Sequence, residues 1–166
     1  FFYTAFPVHV VQTLNWSITE LGVFFSFLSG LMVVVQGPVL SRLSKRFSDA
    51  YLIIFGNLVL GTNFVLMTSQ NLVLIYFAAM LFAVGNGLMW PSVLSLLSRA
   101  DGKKYQGSVQ GFAGSFGSLA SMLGLIVGGI LYGAIGASTF LVSAAIIYFV
   151  FLLSFRLLSV EKTIAA

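Results

Sequence analysis

Residues Gly37–Asp49, read as GPVLSRLSKRFSD, place three of the chain's eight basic residues (Arg42, Lys45 and Arg46) within five positions. Charge-free runs of about twenty residues or more flank this stretch, long enough to cross the hydrocarbon of a bilayer as a helix. Lys and Arg are costly in hydrocarbon and favoured on the cytoplasmic side, so such a patch between two such runs marks a turn at a membrane surface. Composition agrees: 59% of the 166 residues are hydrophobic and 7% are charged, against roughly 25% charged in a soluble domain. A soluble protein this apolar would expose large adhesive patches. The sequence therefore predicts an integral membrane protein. Its net charge of +4 comes from loop cations and not from a nucleic-acid face, and the absence of cysteine excludes disulfides and thiolate metal sites.

Six apolar segments follow in order: Phe1–Leu14, then about 20–40, 50–68, 72–97, 106–135 and 139–158. The first is too short to span, so Phe1 is read as an entry in mid-helix and the chain as a piece of something longer. Basic residues gather at Arg42/Lys45/Arg46, at Arg99/Lys103/Lys104 and at Arg156/Lys162. The connections at 15–19, 69–71 and 136–138 have none. This alternation predicts six helices with the basic ends and the C-terminus in the cytoplasm. The expected fold class is an all-α polytopic membrane domain built as a 3+3 inverted repeat, and the expected location is the cell (inner) membrane.

Local signals support these boundaries. Ser17-Ile-Thr-Glu20 matches a capping box, with Trp16 and Leu21 placed for a hydrophobic staple. Glu20 is accordingly read as a cap rather than a proton carrier. Ser48/Asp49 and Ser138 are expected to cap the third and sixth helices. Trp16, Tyr51, Tyr105 and Tyr132 sit near segment ends, as an interfacial aromatic belt would. The sixth segment has few polar atoms and is expected to face lipid.

The second and fifth segments carry small residues at helical spacing: Gly22, Ser26, Ser29, Gly30 and Gly37 in one, and Gly107, Gly111, Gly114, Ser118, Ser121, Gly124 and Gly128 in the other. Such faces let helix backbones approach closely in lipid. A faint echo between residues 33–41 and 125–133 is compatible with paired three-helix sets. Amides in hydrocarbon must find partners, which makes Gln36, Asn86 and Gln110, with Trp90 one turn from Asn86, the candidate cavity lining, opposite Ser26 and Ser29. Gln12 and His9, the only histidine, join them from the first segment; His9 is expected to be neutral and hydrogen-bonded. Asn57 and Asn63 are expected to act as packing contacts. Pro91 is a candidate bend. No Asp, Glu, Lys or Arg lies in a segment interior, and no Ser–His or paired-Asp arrangement suggests an enzyme. No cofactor or metal is called for.

Gly37-Pro-Val-Leu-Ser41-Arg42-Leu-Ser44-Lys45-Arg46 resembles the loop signature of the major facilitator superfamily, in which Gly is followed after three residues by Asp-Arg, one residue, and Gly-Arg-Arg/Lys. Gly37, Arg42, Lys45 and Arg46 match; Ser41 replaces the Asp and Ser44 the second Gly. Gly85-Asn-Gly87-Leu-Met-Trp90-Pro91-Ser92 is similar to the tenth helix of drug–proton antiporters of that family, and Gln106-Gly107-Ser-Val-Gln-Gly111 to their eleventh. The resemblance implies helices seven to twelve of a twelve-helix transporter, partnered by the lipid bilayer, an N-terminal six-helix half and a small-molecule substrate. It also implies that the second and fifth helices, with Gly30, Gly107, Gly111, Gly114, Gly124 and Gly128, line the contact with that other half. A self-pairing half-transporter and a six-helix channel are the alternatives.

Overall fold

A computed structural model describes residues 2–100 and 106–165 and is helical from end to end. The elements are α1 (Phe2–Leu14), α2 (Ile18–Val34), a π-helical turn (Val35–Val39), α3 (Leu40–Leu43), α4 (Asp49–Leu66), α5 (Leu72–Ala100), α6 (Gln106–Ile135), α7 (Ser138–Ser154) and α8 (Leu157–Ala165). α2, the π turn and α3 form one continuous rod. With α4, α5, α6 and α7 running into α8, it makes five helices long and apolar enough to cross a membrane. α1, with 13 residues, is the short sixth.

The contacts fix the direction of each helix. Along α2 and α5, Phe24 meets Tyr76 with ring centroids 5.6 Å apart, and further on Val35 crowds the Gly87 backbone. Partner numbers rise together, so the two helices are parallel. α1 and α6 behave likewise, with Thr4 against Gly129 and then His9 against Tyr132. Against α4 the order reverses. Asp49 bonds Ser95 and Arg99 while Phe64 meets Phe82 on α5; Asn57 bonds Ser154 while Thr62 bonds Tyr148 on α7. This is the up–down alternation that the loop charges predict. It also shows the three-helix exchange, because α1 packs on α6 as its counterpart α5 packs on α2.

One end of the bundle collects the described cations: Arg42, Lys45 and Arg46, Arg99 and Arg156. There Arg99 Nη2 stands 3.1 Å from Asp49 Oδ2, and Ser95 Oγ donates to the same oxygen at 2.7 Å. Lys103, Lys104 and Tyr105 lie outside the described residues.

α4 is the most buried span and packs chiefly on α5 and α7. Glycine makes that packing possible. A Cβ at Gly56 would stand 2.8 Å from the Gly85 carbonyl oxygen, and one at Gly85 would stand 2.8 Å from that of Gly56. Gly61 lies under the Tyr148 ring in the same way. The same core continues as an aromatic cluster, with Phe2, Phe6, Trp16, Phe24 and Phe82 interleaved between α1, α2 and α5.

Several expectations are corrected. The loop signature does not begin in a turn: Gly37 lies in the π turn and Arg42 in α3, so the non-helical connection is only 44–48. Pro38 explains the π turn. It offers no N–H and its ring crowds the preceding turn, and the widened helix restores a bond from Leu40 N–H to the Val35 carbonyl. Pro91, the candidate bend, lies inside α5 with no break in the α-helix. The capping box at Ser17 and Glu20 forms as expected, but Ser48 makes no side-chain cap. Glu161 of α8 supplies it through space, accepting from the Asp49 and Ala50 N–H groups at 3.1 and 3.3 Å. Ser138 is the first residue of α7, with Ala137 at the cap position and no side-chain bond there. Trp16 is buried against Phe6 and Phe24 instead of standing in an exposed belt. α7 is exposed along its outer side, yet Thr139, Ser143, Tyr148 and Ser154 give it a polar stripe toward the bundle.

Candidate substrate surface

The predicted cavity residues separate into two groups. The larger lies on the face formed by α2, α5 and α6, where α5 touches both neighbours. Gln36 is exposed on the π turn, and its Cγ lies 3.6 Å from where a Cβ on Gly87 would stand, next to Asn86. One turn on, Trp90 is 42% exposed and extends across to α6, its Cη2 3.3 Å from where a Cβ on Gly117 would be. A Cβ there would make a tight contact that the indole could relieve only by shifting a few tenths of an ångström. Asn86 is half-buried; Ser26, Ser29 and Gln110 are exposed. Gln36 thus packs over Gly87, the neighbour of Asn86, at the α2–α5 crossing, and Trp90 reaches from α5 to α6. No contact ties Ser26, Ser29 or Gln110 to that centre among the described residues.

The glycines flanking this surface are open. A Cβ at Gly22, Gly30 or Gly37 of the α2 rod, or at Gly107, Gly111 or Gly114 of α6, would meet nothing within 4 Å. At these glycines the faces meet no other part of the chain among the described residues. Phe112 and Phe116, their rings tilted against each other with centroids 4.6 Å apart, stand exposed among the α6 glycines. Gly128 departs from the predicted shared face: it is buried, next to the point where Gly129 meets Thr4 of α1. Gly124 is half-buried.

The second group lies between α1 and α6. His9 is 2% exposed, its Nδ1 3.0 Å from Tyr132 Oη and 3.2 Å from Thr13 Oγ1. It is thus hydrogen-bonded, as expected. Beside it is a cleft of about 410 Å³, lined by Thr4, Val8 and Gln12 at one-turn spacing on α1, by Gly129, Tyr132 and Gly133 on α6, and by Gly136 in the turn that follows. Asn57 and Asn63 pack as predicted. Asn57 Nδ2 donates to Ser154 Oγ at 3.0 Å, and Asn63, with its amide nitrogen toward α5, donates to the Ala78 carbonyl at 2.8 Å.

Sequence reasoning missed Gly117 as the shelf for Trp90, and it missed Tyr132 as the partner of His9. The usable signal for the second was two polar groups at matching depth on parallel helices. The signature cations Arg42, Lys45 and Arg46 and the Ser41 and Ser44 hydroxyls are all exposed, and Ser44 reaches only the Ser41 carbonyl at 3.5 Å.

Residues 1–165 match the family model described as Major Facilitator Superfamily. An uncharacterized MFS-type transporter, YttB of Bacillus subtilis (strain 168), is 22% identical over 139 residues, covering 82% of this chain and 35% of that protein. The class C tetracycline resistance protein of Escherichia coli is 28% identical over 125 residues, covering 75% of this chain and 31% of that protein. Multidrug resistance protein 1 of Bacillus subtilis is 28% identical over 137 residues, covering 79% and 34%. The chain spans about a third of the length of these relatives. No solved structure matches. With a family match along nearly all its length, five spanning helices and alternating helix directions, the chain belongs to the major facilitator superfamily of membrane transporters.

Proposed function

We propose that this chain is the C-terminal six-helix half of a secondary active transporter that moves a small amphipathic or drug-like solute by alternating access. The observation that carries this reading is the pair of glycine-lined faces on the α2 rod and α6, open to a Cβ and flanking the half-exposed Asn86 and Trp90. In lipid, such faces gain by close backbone packing against another helix bundle. A first half of six helices, outside this chain, would cover them. The two halves would rock about a midplane site bordered by Gln36, Asn86, Trp90 and Gln110. Relatives named for tetracycline and multidrug resistance support export of drug-like compounds as the direction and substrate class. The described spans hold no Asp, Glu, Lys or Arg in their interiors, and the Nδ1 of His9 in α1 faces Tyr132 and Thr13. Proton coupling, as in the antiporters this chain resembles, would then use acidic residues of the other half.

The test is Gly111→Leu in the complete transporter. Because a side chain there meets nothing inside this chain, membrane insertion and protein level should be unchanged while substrate transport is lost. Normal transport in Gly111→Leu would remove the docking role of the α6 face.

A further inference from the structure

We propose that His9 and Tyr132 form a pH-sensitive clasp between α1 and α6, closed while the imidazole is neutral and released by its protonation. The two parallel helices are joined at two levels. Near the start of α1, Thr4 lies 3.4 Å from the Cβ position of Gly129. Further along, toward the end where both helices stop, His9 Nδ1 stands 3.0 Å from Tyr132 Oη. Only one side of that imidazole is served. Thr13 Oγ1 donates to the His9 carbonyl at 2.6 Å, so toward Nδ1, at 3.2 Å, it can only accept. Nδ1 therefore gives a hydrogen to Thr13 or Tyr132, or takes one from the Tyr132 hydroxyl. In either tautomer the other nitrogen, Nε2, is buried and has no hydrogen-bond partner among the described residues.

An unpartnered nitrogen on a neutral buried ring costs far less than an unpartnered N–H on a charged one. Nothing packed on His9 offsets the charge. α1 offers the Thr13 hydroxyl; α6 offers Tyr132, the one titratable neighbour; α7 offers the apolar ring of Phe140, its centroid 5.3 Å away. The Thr139 hydroxyl, next to Phe140, is buried and makes no hydrogen bond to the imidazole. No carboxylate bonds His9 among the described residues. A way out lies alongside. The cleft of about 410 Å³ shares Tyr132 as a wall and includes Gln12, and a Cβ at Gly133 on its α6 side would meet nothing within 4 Å. A protonated ring that moves into this cleft gains water and the Gln12 amide oxygen. The Tyr132 bond is then lost and the helix ends part. The Thr4–Gly129 contact has no ionisable group and holds the other level. Acid thus biases a two-state contact toward its open form. The proton comes from water and stays on the ring.

The clasp goes beyond the transport reading and is tested on this chain alone, so failure of either leaves the other standing. His9 is the chain's only histidine, and the chain has no cysteine. Isotopically labelled ring nitrogens therefore report one imidazole, and introduced cysteines carry unique labels. The chain is placed in nanodiscs of uncharged lipid and taken from about pH 8 to about pH 5. Nuclear magnetic resonance of the ring nitrogens shows when the imidazole becomes charged. Nitroxides at Val11→Cys and Ile135→Cys report the distance between the helix ends, and nitroxides at Tyr3→Cys and Ile126→Cys report it at the other level; all four positions are exposed. The first distance should lengthen with the midpoint of the imidazole titration, and the second should stay constant. In His9→Asn, which keeps a polar atom near the Nδ1 position and does not titrate, the first distance should not change with pH. Charging of His9 without lengthening, no charging down to about pH 5, or the same lengthening in His9→Asn would overturn the proposal. The first two readings need no substitution at His9, so they decide the matter whether or not His9→Asn folds.

Discussion

Asn57 shows how single residues hold this bundle. It is 1% exposed in the middle of α4, and its amide donates to Ser154 Oγ of α7. Interhelical bonds of this kind contribute about 0.6 kcal/mol on average in membrane proteins and seldom more than about 1.7. Ser154 also donates to the Val150 carbonyl, so it keeps a partner if the amide is lost. Asn57→Ala should therefore lower stability by about 0.5–1.5 kcal/mol in a detergent unfolding assay. Gly85 is a different case. Its added Cβ would meet the Gly56 carbonyl oxygen and the Leu60 backbone nitrogen at 2.8 and 2.9 Å, and neither atom can yield without moving a helix. Gly85→Ala should destabilise by about 1–3 kcal/mol, whereas Gly30→Ala, with open space at its Cβ, should be near neutral in this chain. Equal losses for the two alanines would show that the α4–α5 crossing is not the tight one.

At the scale of elements, the spans and their order were legible in the sequence because hydrophobicity and charge are one-dimensional signals that a bilayer reads directly. The capping box at Ser17 was legible for a similar reason: all its atoms lie within four residues. Contacts made across the bundle were not. The α4 N-terminus is capped by Glu161, which is 112 positions away from Asp49, and α8, which carries it, lies almost wholly beyond the last apolar segment at 139–158. Glycine was legible as a type but not as a role. The conspicuous stripes on α2 and α6 stay open, while Gly56, Gly61, Gly85 and Gly87 make the close approaches. A stripe shows that a face can be approached, not which helix approaches it. Pro38 and Pro91 are a parallel pair. Only the first coincides with a π turn. If the π turn follows from the missing N–H and the ring of Pro38, Pro38→Ala should shift the Val35–Val39 hydrogen bonds to the α pattern. Amide exchange at Leu40 would then slow measurably; unchanged exchange would mean that packing of Val35 on Gly87 sets the turn.

For the whole molecule, the proposed transport reading depends on the chain being one side of a rocking pair. Liposomes containing this chain alone should show no substrate uptake above protein-free controls; robust uptake would mean that it works without a partner half. The reading depends equally on sidedness. Contacts place the Arg42–Arg46 turn, Arg99 and α8 at one end, and the 69–71 and 136–137 connections at the other. Single cysteines at Ser44 and Ser159 test the first end, and single cysteines at Gln70 and Ser138 test the second; all four positions are exposed. In sealed cells, a membrane-impermeant maleimide should label Gln70→Cys and Ser138→Cys, and reach Ser44→Cys and Ser159→Cys only after permeabilisation. Labelling of a position from each pair on the same side of the membrane would contradict the threading on which the transporter assignment of these helices rests.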